Sequence, residues 1–199
     1  MEPGFVTVDI GAHFGIYTLV AARAAEATGE VYSFEPAAAA FDILNANVEL
    51  NCLTNVDTYR CALGDHCGEM QLYHNRDTSR NSLGRRAGMT GARESIQMTT
   101  LSDILDKTGV EKIDLIKIDV EGAEKMTLKG CARILEKARP RIIIELNPTL
   151  AAASGLRADG AWRMLVSLGY KMYEIDDVAS LCRIDRCPHQ LINVLAFPG

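Results

Sequence analysis

The pattern along the chain is one of short β-branched runs alternating with helical ones. "FVTVDI" (5–10) reads as a strand, and the Ala-rich "IYTLVAARAAEA" (16–27) as the helix after it, ended by Gly29. "EVYSFEP" (30–36) is a second strand stopped by Pro36. "AAAFDILNANVELN" (38–51) is a second helix whose apolar face holds Phe41, Leu44 and Val48, with Ile43 and Leu50 beside it. "NVDTYRCAL" (55–63) reads as a third strand and "EMQLYH" (69–74) as an extra one. "IQMTTLSDIL" (96–105) contains a helix start capped by Thr100 or Ser102. "KIDLIKIDV" (112–120) and "PRIIIEL" (140–146) are the strongest strand signals, with a helix over 121–138 between them. A helix at 160–170 and strands at 171–175 and 190–197 close the chain.

Strands alternating with helices predict a mainly parallel sheet covered on both faces. The last two strands have no helix between them, so they must pair as a hairpin. The expectation is an α/β, doubly wound sheet with one reversed strand near its edge. No repeat or linker divides the 199 residues. A single domain over 1–199 follows, interrupted by a polar flap at about 75–95.

A net charge of -5 argues against attraction to nucleic acid or an anionic membrane. No apolar run reaches the roughly 18 residues of a membrane span, and no basic-then-apolar leader is visible. A cytoplasmic protein is expected. Of the six cysteines, Cys52 and Cys131 fall in helix-like segments and read as buried. Cys182, Cys187 and His189 form the one metal-like grouping; with no second cluster, no metal is expected.

Chemistry enters at "VDIGAHFG", where the first strand runs into Asp9-x-Gly11-x-x-x-Gly15 and then a helix. In open α/β sheets, ligands sit beyond the carboxyl ends of the strands where strand order reverses. Gly11 permits a tight turn there and Gly15 close helix packing. Glu35 ends the second strand 20 residues after Gly15, where a carboxylate can accept both hydroxyls of an adenosine ribose. A dinucleotide loop needs a second glycine where His13 stands, and Asp9 would repel a pyrophosphate. The same carboxylate suits a cofactor carrying an ammonium and a sulfonium. S-adenosyl-L-methionine is such a cofactor.

The segments "VDIGAHFGIYTL", "VYSFEP", "CALGD", "DLIKIDVEGAE", "IIIELNP" and "NVLAFP" resemble the FkbM family of S-adenosylmethionine-dependent methyltransferases over nearly the whole chain. The resemblance implies the Rossmann-like, seven-stranded sheet of class I methyltransferases, in the order 3-2-1-4-5-7-6 with strand 7 antiparallel and helices on both faces. It implies S-adenosyl-L-methionine as cofactor, S-adenosyl-L-homocysteine (SAH) as product, and a hydroxyl of a small molecule, sugar or natural product as acceptor. Asp9, Gly11, Ala12, His13 and Gly15 would form the methionine-side loop, with Glu35 and Pro36 at the ribose. Ala62 and Leu63 would border the adenine, and Asp119 and Glu121 the transferring methyl or amino end. His13 stands where the family usually has Asn, and few residues precede the first strand.

A hydroxyl acceptor gains from a general base within about 3 Å. Asp119, Glu145 and His13 are the candidates; Glu124 reads instead as complementing a helix dipole. His66, His74 and His189 read as loop or strand-edge residues. The flap carries five arginines against two acids, and Arg80, Arg85 and Arg86 are expected to meet an anionic acceptor such as a phosphorylated, carboxylated or nucleotide-linked sugar. Two competing readings are a methyltransferase-like module without catalysis and a nicotinamide oxidoreductase. A monomer or homodimer is expected.

Overall fold

The structure, a computed structural model, describes residues 1–75, 81–83, 91–176, 178 and 180–199. Five strands run parallel at its centre: β1 (Val6–Ile10), β2 (Glu30–Phe34), β3 (Val56–Tyr59), β7 (Leu115–Ile118) and β8 (Arg141–Leu146). The helices α1 (Ile16–Ala25), α2 (Ala38–Leu50), α3 (Leu101–Thr108), α4 (Glu124–Gly130), α5 (Ala132–Lys137), α6 (Pro148–Ala153) and α7 (Gly160–Ser167) lie between the strands in sequence. Val8, Ile10, Phe34, Ile116, Ile118, Ile142 and Ile144 are almost fully buried. The polar Thr7, Asp9, Ser33 and Lys117 of these strands are buried too, because both faces of the sheet are covered. Each of the apolar side chains contributes roughly 1.5–3 kcal/mol by leaving water.

The sheet order is β10-β9-β11-β8-β7-β1-β2-β3, where β9 is Tyr170–Ile175, β10 Leu181–Ile184 and β11 Ile192–Pro198. The closing hairpin forms as expected: β11 is antiparallel to both β8 and β9. Leaving β10 aside, the order is that of the class I methyltransferase sheet. β10 corrects the expectation of seven strands and one reversed strand, because it adds an eighth, antiparallel to β9, at the edge. All four of its residues are exposed or half-buried, so "LCRI" carries no apolar alternation to announce it.

The third strand also differs from expectation. It stops at Tyr59, and Ala62–Leu63 (β4) turns away into a second sheet of order β4-β6-β5, with β5 at Gly68–Tyr73 and β6 at Arg93–Thr99. Ala62, Leu72, Ile96 and Met98 bury against Ala37 and Ala40 there, forming a satellite core beside the main one. Arg60, exposed at the break, is the one charged residue of "YRCAL", and a single charged residue does not distinguish a bend from a strand's solvent face.

Local expectations fare unevenly. Thr100 caps α3, its Oγ1 accepting from the Asp103 N–H at 3.1 Å. On α2, Leu44 is buried and Phe41 and Val48 half-buried, but Ile43 and Leu50 face solvent. The helix expected over 121–138 is two, meeting at Cys131, which is buried. Cys52 lies past the end of α2 at φ 52° and is exposed, against expectation. The connection after β8 holds α6, capped by the Asn147 side chain.

Candidate functional site

Strand register builds the site in two tiers. Ile10 pairs with Phe34 of β2 and with Ile118 of β7, and Ile118 pairs with Ile144 of β8. The residues one step further, Gly11, Glu35, Asp119 and Glu145, therefore stand at one level across four neighbouring strands, the first three just past their strands and Glu145 still within β8. One step below the paired row, Asp9 aligns with Ser33 on one side and Lys117 on the other. Side chains alternate along a strand, so this lower tier faces the same way as the upper one.

The lower tier is a buried polar network in an otherwise apolar sheet. Asp9 is 1% exposed and Lys117 8%, while Thr18 and Ser33 are fully buried. Thr18, on α1, donates to Asp9 Oδ2 at 2.7 Å and stands 2.9 Å from the Ser33 hydroxyl. Asp9 Oδ1 has the Lys117 ammonium at 3.2 Å and no hydrogen bond of good geometry among the described residues. Lys117 reaches upward as well, donating to the Gly11 carbonyl at 2.8 Å and lying 3.7 Å from Asp119 Oδ2. The Tyr17 ring sits 5.1 Å from its nitrogen.

Above this floor opens a cavity of about 190 Å³. One water requires roughly 10–15 Å³, so the space suits a much larger ligand. Phe34, Pro36, Cys61, Ala62, Leu63 and Leu72 make its apolar end. Glu35 lies between that end and the acidic one, where Asp119 and Glu121 follow β7. Asn81, Ser82 and Leu83, described residues between β5 and β6, add to the wall, and Ser82 Oγ donates to the Glu121 carbonyl at 3.2 Å. The end of the expected flap, 93–95, belongs to β6, and most of the rest lies outside the described residues.

The loop after β1 is held by its own backbone. The Gly11 and Ala12 amides both donate to the Phe34 carbonyl at 3.0 Å, and the Gly15 amide to Ala12 at 2.8 Å. His13, at φ 51°, donates its amide to Glu35 Oε2 at 2.9 Å, and its ring stacks on Phe14. Gly11 has φ +75°, and a Cβ there would lie 1.9 Å from the Asp119 carbonyl oxygen. Gly15, at φ +87°, leaves room for Leu44 of α2. With these four amides committed inside the protein, they form no cradle for a phosphate.

Burial sets the electrostatics. It raises the Glu35 carboxyl above the ordinary range, partly offset by the Ala37 and His13 amides that donate to it. Glu124 is pushed up to about 7, first by burial and then by Glu121 and Asp119. Its Oε1 accepts the Gly122 amide at 2.8 Å, so it braces the start of α4 as the helix-dipole reading anticipates. Glu145 is also pushed up to about 7, by burial and by the charges of Asp119, Glu121 and Glu124.

Of the residues singled out from sequence, Gly11, Ala12, His13, Glu35, Pro36, Ala62, Leu63, Asp119 and Glu121 line the cavity together. Asp9 does not line it; its carboxylate is sealed beneath the loop. Gly15 stands behind the loop at the start of α1, and Glu145 lies outside the cavity wall, beside Asp119 in the row of strand ends. Arg80, Arg85 and Arg86 lie outside the described residues. Sequence reasoning passed over Lys117, although a lysine inside "LIKI", with apolar residues on every side, is itself a signal. It also passed over Tyr17, Ser82 and Thr127, which nothing in the local pattern sets apart.

The sheet order and a ligand cavity at the β1–β7 reversal define the class I methyltransferase fold. Residues 9–172 match the family model of the methyltransferase FkbM domain, and the chain belongs to that family. It is 30% identical over 161 residues to the 31-O-demethyl-FK506 methyltransferase FkbM of Streptomyces tacrolimicus, covering 65% of this chain and 60% of that one. Among solved structures it resembles methyltransferase FkbM from Methylobacillus flagellatus, with a TM-score of 0.65, 14% identity and coverage of 99% and 44% of the two chains. It also resembles the O-methyltransferase from Bacillus cereus in complex with SAH, with a TM-score of 0.54, 14% identity and coverage of 96% and 73%. The chain thus spans about three-fifths of the length of its Streptomyces relative. No described helix is long and apolar enough to cross a membrane.

Proposed function

We propose that this protein transfers the methyl group of S-adenosyl-L-methionine to a hydroxyl of a small molecule, sugar or natural product. The observation that carries this reading is the order of chemistries along one cavity wall. An apolar slot (Phe34, Pro36, Ala62, Leu63) is followed by the Glu35 carboxylate and then by the acids Asp119 and Glu121. That order fits an adenine, a ribose and an end bearing a sulfonium and an ammonium. Backbone amides hold both Glu35 oxygens, and each oxygen retains a lone pair for a ribose hydroxyl. The Streptomyces relative, named for a 31-O-demethyl substrate, supports transfer to oxygen.

The cofactor, when bound, supplies a methyl group on a sulfonium that is already an excellent leaving group. What falls to this chain is orientation, exclusion of water and removal of one proton. Asp119 and Glu121 would offset the positive charges of its ammonium and sulfonium groups. Glu145, held up to about 7 at the next strand end, is poised to take the acceptor's proton near neutral pH. Asp119 and His13, which line the cavity as Glu145 does not, are the other candidate bases.

Calorimetric titration of the wild type and Glu35→Ala tests the reading, with S-adenosylmethionine and NADH as separate ligands. The expected result is micromolar binding of S-adenosylmethionine, weakened about a hundredfold or more by the substitution as two charge-assisted hydrogen bonds are lost. NADH should not bind. Binding of NADH alone would replace this reading with the oxidoreductase one; cofactor binding without transfer to any hydroxylated acceptor would favour a non-catalytic module.

A further inference from the structure

Lys117 has no part in the strand-end pattern that suggests a cofactor site, yet it is the group that ties the two tiers together. A lysine that is 8% exposed inside a parallel sheet needs a counter-charge and acceptors for its three protons. Asp9 Oδ1 at 3.2 Å supplies the first from below. The Gly11 carbonyl at 2.8 Å and Asp119 Oδ2 at 3.7 Å lie above, one from the loop after β1 and one from the end of β7. The Tyr17 ring, 5.1 Å away, covers the ammonium with its negative face. Lys117 thus contacts both loops flanking the acidic end of the cavity.

We infer that Lys117 is the positioning residue of that end: it sets the Gly11 carbonyl and the Asp119 carboxylate, and Asp9 is its buried counter-ion rather than a ligand contact. This rests on the reading that S-adenosylmethionine fills the cavity with its amino-acid end toward Asp119. A free ammonium facing a cationic ligand would oppose binding. Here the flanking Asp9 and Asp119 carboxylates outnumber it, so the trio still presents a net negative charge. Thr18 completes the lower tier by holding the other Asp9 oxygen at 2.7 Å, which leaves Oδ1 for Lys117.

The test separates the two halves of the ligand. S-adenosylhomocysteine carries the amino-acid end; 5′-methylthioadenosine has the same adenosine without it. Lys117→Met alone strands the Asp9 charge, so Asp9→Asn/Lys117→Met is made beside it, removing both charges from the buried tier. Calorimetry with each probe is run on the wild type and both variants, with thermal unfolding recorded without ligand. The expected result for the double variant is at least about tenfold weaker S-adenosylhomocysteine binding, with methylthioadenosine binding unchanged within about twofold. Parallel weakening of both probes would make Lys117 a general structural residue and overturn the inference. So would a double variant that binds S-adenosylhomocysteine like the wild type, since Lys117 would then only neutralise Asp9. A wild type that binds neither probe would sink the cofactor reading itself, a result distinct from the other two.

Discussion

Two loops meet over the same cavity and are built on different principles. The loop after β1, from Gly11 to Gly15, is held by backbone: three of its residues have positive φ and four of its amides are committed within the protein. The loop after β7, from Asp119 to Ala123, also bends through positive φ at Glu121 and Gly122, but what it brings to the cavity is charge. It is braced from outside, by Ser82 on the Glu121 carbonyl and by Glu124 on the Gly122 amide. The first loop gives the site its shape and the second its electrostatic character. A methyl group should therefore be enough to damage the first, and a single charge enough to alter the second.

Gly11→Ala should produce the largest effect. The new Cβ would strike the Asp119 carbonyl at 1.9 Å in a backbone region that L-residues avoid. A loss of about 3–5 kcal/mol and a fall in Tm of roughly 10 °C are expected by thermal unfolding. A melting curve superimposable on the wild type would show the junction to be far softer than its geometry implies.

Glu124→Gln should act through pH. A carboxyl held near 7 in the fold and near 4.5 when unfolded binds more protons folded than unfolded between those values. Its contribution is therefore fully present below about pH 4.5 and lost as pH rises through 7. Glutamine keeps an acceptor for the Gly122 amide but never ionises. The variant should be distinctly more stable than the wild type at pH 8, and the two should converge below pH 5, as read from denaturant midpoints. Parallel pH profiles would remove Glu124 from the acidic cluster's energetics.

Asp119→Asn should have the smallest effect on stability, about 1 kcal/mol or less, because its side chain is 38% exposed and its lysine partner is 3.7 Å away. Its effect should appear in calorimetry instead, as weaker binding of S-adenosylmethionine. If it destabilised the fold as much as Gly11→Ala, the division of labour between the two loops would be wrong.

Much of this was legible along the chain, because strand ends are written in sequence. The runs "VTVDI", "VYSF", "LIKI" and "RIII" each end where apolar residues give way to Gly11, Glu35, Asp119 and Glu145. Parallel pairing in register brings those four ends to one level without further information. The failures share a cause. Asp9 sits at a strand end in sequence, but the face it occupies relative to α1 decides whether it meets ligand or Thr18. The bend after Tyr59 and the edge strand β10 depend on what packs against them, and neither carries a period of its own.

By itself, then, the sequence determined the alternation of strand and helix, the reversed hairpin at the end, the ligand loop and the acids beside it. These follow from local periodicity, turn chemistry and a familiar set of motifs. Only the tertiary structure decided that Asp9 belongs to the floor rather than to the cavity, and that Lys117 joins it to Asp119. The physical reason is burial: a charged side chain takes its role from the dielectric and the partners around it, and those come from strands that are neighbours in space and more than 100 residues apart in the chain.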